Sequence, residues 1–218
     1  MMKKSEYKGI MIITSIMILL PMIIGVVLWD KLPSEIATHF GTDNQANGWS
    51  SKPMTVFGMP LLMLALQWFC FLITSNDPKK RNINKKMFTF VLWLVPIISL
   101  ITMMSTYAMA LGYSVDIGMI VNFLMGIVFI GIGNYMHKIK QNYTVGIKIP
   151  WTLSSEANWN KTHRMSSWLF IIGGILFCIN GFFKMTEVLF VVIILIAVVP
   201  MVYSFVPVSY THLTLPTI

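Results

Sequence analysis

Residues 87–115 read MFTFVLWLVPIISLITMMSTYAMALGYSV, and this stretch decides the fold class because 29 consecutive positions carry no charge. A helix rises about 1.5 Å per residue, so about 20 apolar residues cross the hydrocarbon core of a bilayer. Apolar and polar residues do not alternate along the stretch, as they would in a strand of a membrane barrel. The stretch therefore predicts a membrane-spanning helix over residues 87–109.

Five further uncharged runs repeat this pattern along the chain. Hydrophobic residues make up 56% of the sequence and charged residues 11%, whereas a soluble domain carries about 25% charged residues. The first run follows a basic leader, but it is too long for a signal peptide, so we expect it to remain as a span. We predict an all-α polytopic membrane protein with six transmembrane helices. Besides 87–109, the predicted spans lie near 9–29, 54–75, 116–136, 166–183 and 187–207.

The distribution of basic residues predicts the orientation. Of the 16 Lys and Arg, 13 fall in the N-terminal leader, the segment 77–86 and the loop 137–165. Cytoplasmic loops carry such an excess, so we predict that both termini and these two segments are cytoplasmic. The net charge of +8 is accordingly interpreted as attraction to anionic lipid, with no nucleic-acid partner. Cys70 and Cys178 lie in apolar runs and are expected to be packing residues.

The loop 30–53, DKLPSEIATHFGTDNQANGWSSKP, is then extracytoplasmic. Pro33 predicts an extended start, because the residue before a proline avoids the helical region. Residues 34–40 are expected to form a short surface helix, followed by a polar turn-rich run over 41–48. Trp49 is expected at the membrane interface. His39 is interpreted as a surface histidine, with a ligand or proton sensor as the alternative.

The loop 137–165 gathers most of the remaining polar chemistry. Residues 142–149 are β-branched and predict an extended segment that ends at Pro150. Ser154 or Ser155 is expected to cap a short amphipathic helix on the cytoplasmic surface, with Lys161 and Arg164 beside lipid phosphates. Trp159 and His163 are four residues apart and should share a face. The tryptophans expected among the lipid headgroups are Trp151, Trp159 and Trp168.

The sequence contains no common catalytic or metal motif, so we predict no catalytic residue, no metal and no cofactor. An acid–base pair of Glu156 and His163, or a metal site that adds His137, remains as a weaker alternative. A small transporter or channel is the other alternative. The predicted spans contain almost no ionisable groups, which argues against a proton-coupled pump and leaves a passive or substrate-gated path that would use neutral polar residues and prolines. Those residues are Gln67, Asn122, Asn134, Asn180, Pro60, Pro96 and Pro200.

Residues 142–168, NYTVGIKIPWTLSSEANWNKTHRMSSW, resemble the signature segment of the SdpI family of small bacterial membrane proteins. The loop 30–53 resembles the domain of unknown function that usually precedes that segment. Together the resemblance covers roughly residues 10–205. The chain departs from the family pattern at Lys148, Ile149, Ala37, Gly41 and Asn47. The candidate functional residues that the resemblance implies are Pro33, His39, Phe40, Trp49, Lys52, Asn142, Thr144, Gly146, Lys148, Pro150, Trp151, Thr152, Trp159, Thr162, His163 and Arg164.

The resemblance implies a role in self-protection and signalling. Such a protein would meet a secreted peptide toxin on its outer face and hold a cytoplasmic transcriptional repressor at the membrane. It implies an N-terminal region over 1–76 and an SdpI-like four-helix region over 77–207. Residues 208–218 break the character of the chain and are expected to be a non-native tail.

Overall fold

The computed structural model describes residues 4–213 and the side chains of residues 5–205. A single turn of π-helix over Met54–Gly58 leads into α2. The other elements are α1 (Lys8–Val27), β1 (Glu35–Phe40), β2 (Ala46–Ser51), α2 (Met59–Ser75), α3 (Lys85–Ala110), α4 (Ile117–Met136), α5 (Pro150–Ser154), α6 (Glu156–Phe183) and α7 (Thr186–Leu213).

Six helical segments within the described residues are long and apolar enough to cross a membrane. They correspond to the six uncharged runs of the sequence, so the predicted all-α polytopic class is confirmed. The main difference is α6, which begins at Glu156 and continues without a break to Phe183. The predicted separate surface helix before residue 166 is therefore wrong. Ser155 does cap this helix, since its hydroxyl accepts a hydrogen bond from the Asn158 backbone N–H at 3.2 Å.

The chain forms two compact units. The first unit contains α1, the β1–β2 hairpin, α2, α3 and the chain up to Ile120. The second contains the segment Asn76–Asn84 and the chain from Val121 onward. The predicted regions 1–76 and 77–207 rest on sequence motifs and stay a prediction.

The core of the first unit lies under the hairpin. It consists of Leu32, Ile36, Val56, Met103 and Tyr107, all buried. The Tyr107 hydroxyl donates to the carbonyl of Pro21 at 3.1 Å, which gives a buried phenol a partner inside an apolar region. α1 and α3 are thereby joined by a polar contact as well as by packing.

The hairpin replaces the surface helix expected over residues 34–40, and that prediction is wrong. β1 pairs with β2 in antiparallel fashion, with Ile36 opposite Ser50 and Ala37 opposite Trp49. Ile36 is 1% exposed and packs into the core of the unit. Pairing with β2 satisfies the backbone of β1, so the strand needs no helical hydrogen bonds. The extended start at Pro33 is confirmed, because Leu32 has φ −81° and ψ 138°.

Gln67 is buried between the helices of the first unit. Its Nε2 donates to the carbonyl of Leu92 at 2.8 Å and to Thr14 Oγ1 at 3.2 Å. A carboxamide in an apolar interior is costly without partners, and here it joins three helices. Gln67 thus acts as a structural contact among α1, α2 and α3.

α4 and α6 approach closely in the second unit. Ser167 Oγ donates to the carbonyl of Gly133 at 2.6 Å, and Asn180 Nδ2 donates to Asn122 Oδ1 at 3.1 Å. α7 packs against α6 through Val192 and Ile196, which form a buried cluster with Phe177. Asn122 and Asn180, which the transporter alternative needs for a polar path, therefore bond to each other.

α7 continues in helical form to Leu213, so the backbone of 208–213 prolongs the last span. The rest of the proposed non-native tail, 214–218, lies outside the described residues, as do residues 1–3 of the basic leader. The suggestion that 208–218 is foreign to the chain stays a prediction.

Candidate functional site

The signature segment begins with a turn built by the buried side chain of Asn142. Its Oδ1 accepts from the backbone N–H groups of Thr144 at 3.0 Å and Val145 at 2.7 Å. Its Nδ2 donates to the carbonyls of Lys140 at 2.9 Å and Val145 at 3.0 Å. An asparagine amide offers two donors and an acceptor oxygen, and all are used here. Asn142 shapes the loop and has no capacity left for a ligand.

Asp77 fixes this turn from the preceding loop. Its Oδ2 accepts from the Tyr143 backbone N–H at 2.9 Å and from Thr144 Oγ1 at 2.8 Å. Its Oδ1 accepts from the Lys79 backbone N–H at 2.6 Å. The side chain is 3% exposed, so this carboxylate is held by donors in place of water. Sequence reasoning missed Asp77, although an acidic residue just before a run of basic ones was a usable signal.

Gln141 makes a second connection and was also missed. Its carboxamide accepts from Lys79 Nζ at 2.5 Å and donates to the carbonyls of Thr152 and Leu153 at 3.0 and 2.8 Å. The backbone carbonyl of Gln141 accepts from Asn82 Nδ2 at 2.7 Å. The segment 76–84, the signature turn and α5 therefore form one hydrogen-bonded assembly, which we call the polar lock (Asp77, Lys79, Asn82, Gln141, Asn142 and Thr144).

Trp159 and His163 share a face of α6 as predicted, and their rings stack with centroids 4.0 Å apart. Trp159 Nε1 donates to the carbonyl of Ile139 at 2.7 Å. The Ile147 backbone N–H donates to His163 Nε2 at 3.0 Å, so that nitrogen is unprotonated. The proton then lies on Nδ1, which donates to the carbonyl of Trp159 at 2.8 Å. His163 is a neutral, buried residue with both nitrogens engaged.

Gly146 completes this arrangement. It has φ +117°, and a Cβ added there would meet the ring of Trp159 at 3.1 Å and the imidazole of His163. The backbone therefore passes over the stacked rings at a distance that only glycine allows. The G-I-K-I part of the signature is a close backbone crossing. Of the extended segment predicted over 142–149, residues 143–146 are bends, whereas Ile149, just before Pro150, is extended, with φ −122° and ψ 156°.

The remaining signature residues fix α5 and α6, and one of their contacts reaches α7. Thr152 Oγ1 donates to the carbonyl of Ile147 at 2.8 Å. Thr162 Oγ1 donates to Asn158 Oδ1 at 3.0 Å, and Asn158 Nδ2 donates to the carbonyl of Ser204 at 2.7 Å. Pro150 stands at the first position of α5, where its missing N–H has no cost.

The predicted headgroup anchors have different environments. Trp159 is 0% exposed, so its role as an interfacial anchor is wrong. Trp151 is half-buried, with Nε1 donating to Ser204 Oγ at 2.7 Å and its ring against Phe205. Trp168 is 67% exposed, and its contact with the membrane interface stays a prediction. Trp159 and Trp151 therefore pack against other parts of the protein, whereas the sequence predicted that they would lie among lipid headgroups.

The buried state of His163 also bears on the enzyme and metal alternatives. Neither of its nitrogens is available to a substrate proton or a metal ion without breaking a hydrogen bond. Glu156 lies in the first turn of α6 and is exposed. Among the described side chains, those of residues 5–205, no three His, Cys, Asp or Glu are grouped so that they could hold a metal ion.

In the first unit, the candidate residues of the loop 30–53 hold the hairpin. Lys52 Nζ donates to the carbonyl of Trp29 at 2.9 Å and lies 5.2 Å from the centre of its ring. His39 is exposed, and its Nδ1 donates a hydrogen bond to Asn47 Oδ1 across the hairpin at 2.5 Å. Phe40 is half-buried at the end of β1. Trp49, opposite Ala37, is 57% exposed and leaves a large apolar surface open on this hairpin.

Arg164 is a signature residue whose side chain points outward. It is exposed, and no hydrogen bond or ion pair to the described residues engages its guanidinium. Lys148 is also exposed, but its Nζ donates to the carbonyl of Thr144 at 2.9 Å. Arg164 lines a cleft of about 590 Å³ between α4 and α6.

These features define a class: a six-span membrane protein with a β-hairpin in its first long loop. The loop before its fifth span is held by hydrogen bonds among its own residues and to the segment 76–84. The family model described as the SdpI/YfhL protein family matches residues 138–204, and the model described as a domain of unknown function (DUF1648) matches residues 16–64. These matches confirm the resemblance seen in the sequence: residues 138–204 are similar to the SdpI/YfhL family and residues 16–64 to the domain of unknown function.

A curated relative supports the same placement. The immunity protein SdpI of Bacillus subtilis (strain 168) is 29% identical over 185 residues, which cover 85% of this chain and 87% of the relative. With six spans and this relative, the chain is a multi-pass bacterial membrane protein. No solved structure matches the chain.

Proposed function

We propose that this chain is a membrane immunity protein, which protects its cell against a secreted, membrane-active peptide. The observation that carries the proposal is the match to the immunity protein SdpI along most of both chains. Both family regions occur in one chain, and the likeness to the relative covers 85% of it, so the similarity extends beyond a single motif.

The test is protection of a sensitive bacterium. The chain is expressed in a strain killed by the toxin that the relative resists, and survival is compared with that of cells carrying an empty vector. A panel of unrelated membrane-active peptides measures how specific the protection is. Survival should rise for at least one toxin. Unchanged killing by every peptide, with the protein correctly inserted in the membrane, would contradict the proposal.

The hairpin is the proposed contact for the peptide. It lies on the predicted outer side, and Trp49 exposes an indole that can pack against an amphipathic peptide. His39 and Asn47 close the same end of the hairpin. A cross-linkable toxin should therefore label residues of the hairpin in preference to residues of the loop 137–149.

The loop 137–165 is the proposed docking surface for a small transcriptional repressor. Lys140, Lys148 and Lys161 are exposed on or beside it and lie on the predicted cytoplasmic side. Such a basic surface suits an acidic protein patch. A repressor encoded beside this chain should sediment with membranes when toxin is present. Changing all three lysines to Gln should return it to the soluble fraction while protection is retained.

A further inference from the structure

A polar stripe on α6 faces the cleft that Arg164 lines. Asn160, Arg164 and Trp168 follow one another at intervals of four, so they share a helix face. Asn134 and His137, at the end of α4, line the opposite wall. The cleft measures about 590 Å³, which lies within the usual range for small-ligand sites.

The close approach of α4 and α6 forms the floor of the cleft. A Cβ at Gly133 would lie 2.8 Å from the carbonyl oxygen of Ser167, so the helices meet where α4 has no side chain. The Ser167 hydroxyl donates to the Gly133 carbonyl at 2.6 Å and lies 3.4 Å from His137 Nδ1. The floor is therefore fixed, while the polar groups above it remain accessible.

The donors in the cleft have no acceptor of their own. Arg164, Asn160 and Asn134 are exposed, and no hydrogen bond to the described residues engages their side chains. Asn142, Thr152 and Thr162, in contrast, use their side chains in hydrogen bonds within the protein. The lining contains no Asp or Glu among the described residues. A planar guanidinium with five N–H donors, flanked by carboxamides and an imidazole, is suited to an oxyanion with several acceptor oxygens.

The position along α6 indicates where that anion would lie. Arg164 is the last charged residue before an uncharged run that reaches Phe183, and the exposed indole of Trp168 lies one turn into that run. Tryptophan favours the level of the lipid headgroups, and arginine binds phosphate there. The positions of Arg164 and Trp168 therefore predict that the cleft opens at the depth of phospholipid phosphates.

We propose that this cleft binds a phosphate group, with a phospholipid headgroup as its source. The proposal does not depend on the immunity function, since it rests on unsatisfied donors and their depth. A soluble phosphate offers the same chemistry, and the test separates the two sources.

The test measures retention of lipid by the purified full chain in native mass spectrometry. The probes are phosphatidylglycerol and diacylglycerol with identical acyl chains, so that they differ only in the headgroup. Phosphatidylglycerol should be retained in preference to diacylglycerol. Arg164→Gln should weaken that retention by about tenfold, as expected for the loss of a charged hydrogen-bonding group. Asn160→Leu, also at an exposed position, should weaken it less.

Arg81→Gln is the matched control, because Arg81 is the other arginine of the chain and is exposed outside the cleft. It should retain phosphatidylglycerol as the parent does. Inorganic phosphate at millimolar concentration distinguishes the sources: no displacement of lipid supports the headgroup, and displacement supports a site that also takes free phosphate. Equal retention of both lipids, or retention by Arg164→Gln equal to that by Arg81→Gln, would overturn the proposal.

Discussion

At the scale of single residues, the signature segment is mainly a set of internal contacts. The shared face of Trp159 and His163 could be predicted, because helical spacing alone places them together. The partners of Thr144 and Asn142 could not be predicted fully. Asp77 lies 67 residues from Thr144 along the chain, and nothing in local spacing indicates that contact.

Replacing Asp77 tests the polar lock. Asp77→Ala removes the acceptor of the Tyr143 and Lys79 backbone N–H groups and the nearer acceptor of the Thr144 hydroxyl, all in a partly buried place. We expect the free energy of unfolding to fall by roughly 2–4 kcal/mol, since each orphaned buried group costs about 1–3 kcal/mol. Denaturation of the detergent-solubilised protein by SDS measures this change. Asp30→Ala, at an exposed carboxylate, is the control and should change little. Equal stability of the two variants would contradict the lock.

Gly146 tests the backbone crossing over the stacked rings. Gly146→Ala places a methyl group against Trp159 and His163 in a conformation unfavourable to alanine. Gly112→Ala is the matched control, because Gly112 has φ +90° but nothing within 4 Å of the added Cβ. The control should cost roughly 1–2 kcal/mol from backbone strain alone.

Gly146→Ala should cost clearly more than that control. Thermal melts of the two variants, followed by total tryptophan emission, measure both losses of stability. Similar losses in the two variants would mean that the crossing is looser than the structure shows.

At the scale of elements, the spans were predictable because charge is excluded from the hydrocarbon core over a length that geometry fixes. The hairpin was not. Residues 35–40 form a strand because residues 46–51 pair with them and because Ile36 is buried in the core of the unit. Both causes are contacts with other parts of the fold, which local sequence does not reveal. The start of α6 was misplaced for a related reason: its first turns are polar, yet Trp159 and His163 are buried there by the loop.

The contact of α4 with α6 can be tested at Gly133. Gly133→Ala pushes a methyl group toward the Ser167 carbonyl, so the helices must separate and stability should fall. Gly9→Ala is the control, since nothing lies within 4 Å of its added Cβ. Helix propensity alone should make that control neutral or up to about 1 kcal/mol more stable. Thermal melts of both variants in one detergent give the comparison; a stabilised Gly133→Ala would contradict the close approach.

At the scale of the whole molecule, the sidedness of the loops follows from the excess of basic residues. In a background with Cys70 and Cys178 changed to Ser, Tyr113→Cys should react with a membrane-impermeant maleimide on intact cells. Lys140→Cys should react only after the cells are opened. Both positions are exposed, so their reactivity reports sidedness. The reverse pattern would invert the predicted orientation.

The most direct measurement is protection per inserted molecule for three chains: the parent, Trp49→Ala and Trp168→Ala. Both tryptophans are exposed, at 57% and 67%, but they lie on opposite predicted sides of the membrane. At equal membrane levels, the parent and Trp168→Ala should protect against the toxin, and Trp49→Ala should protect less. Failure of a correctly inserted parent to protect would contradict the immunity function. Full protection by Trp49→Ala would contradict the hairpin as the site of peptide contact.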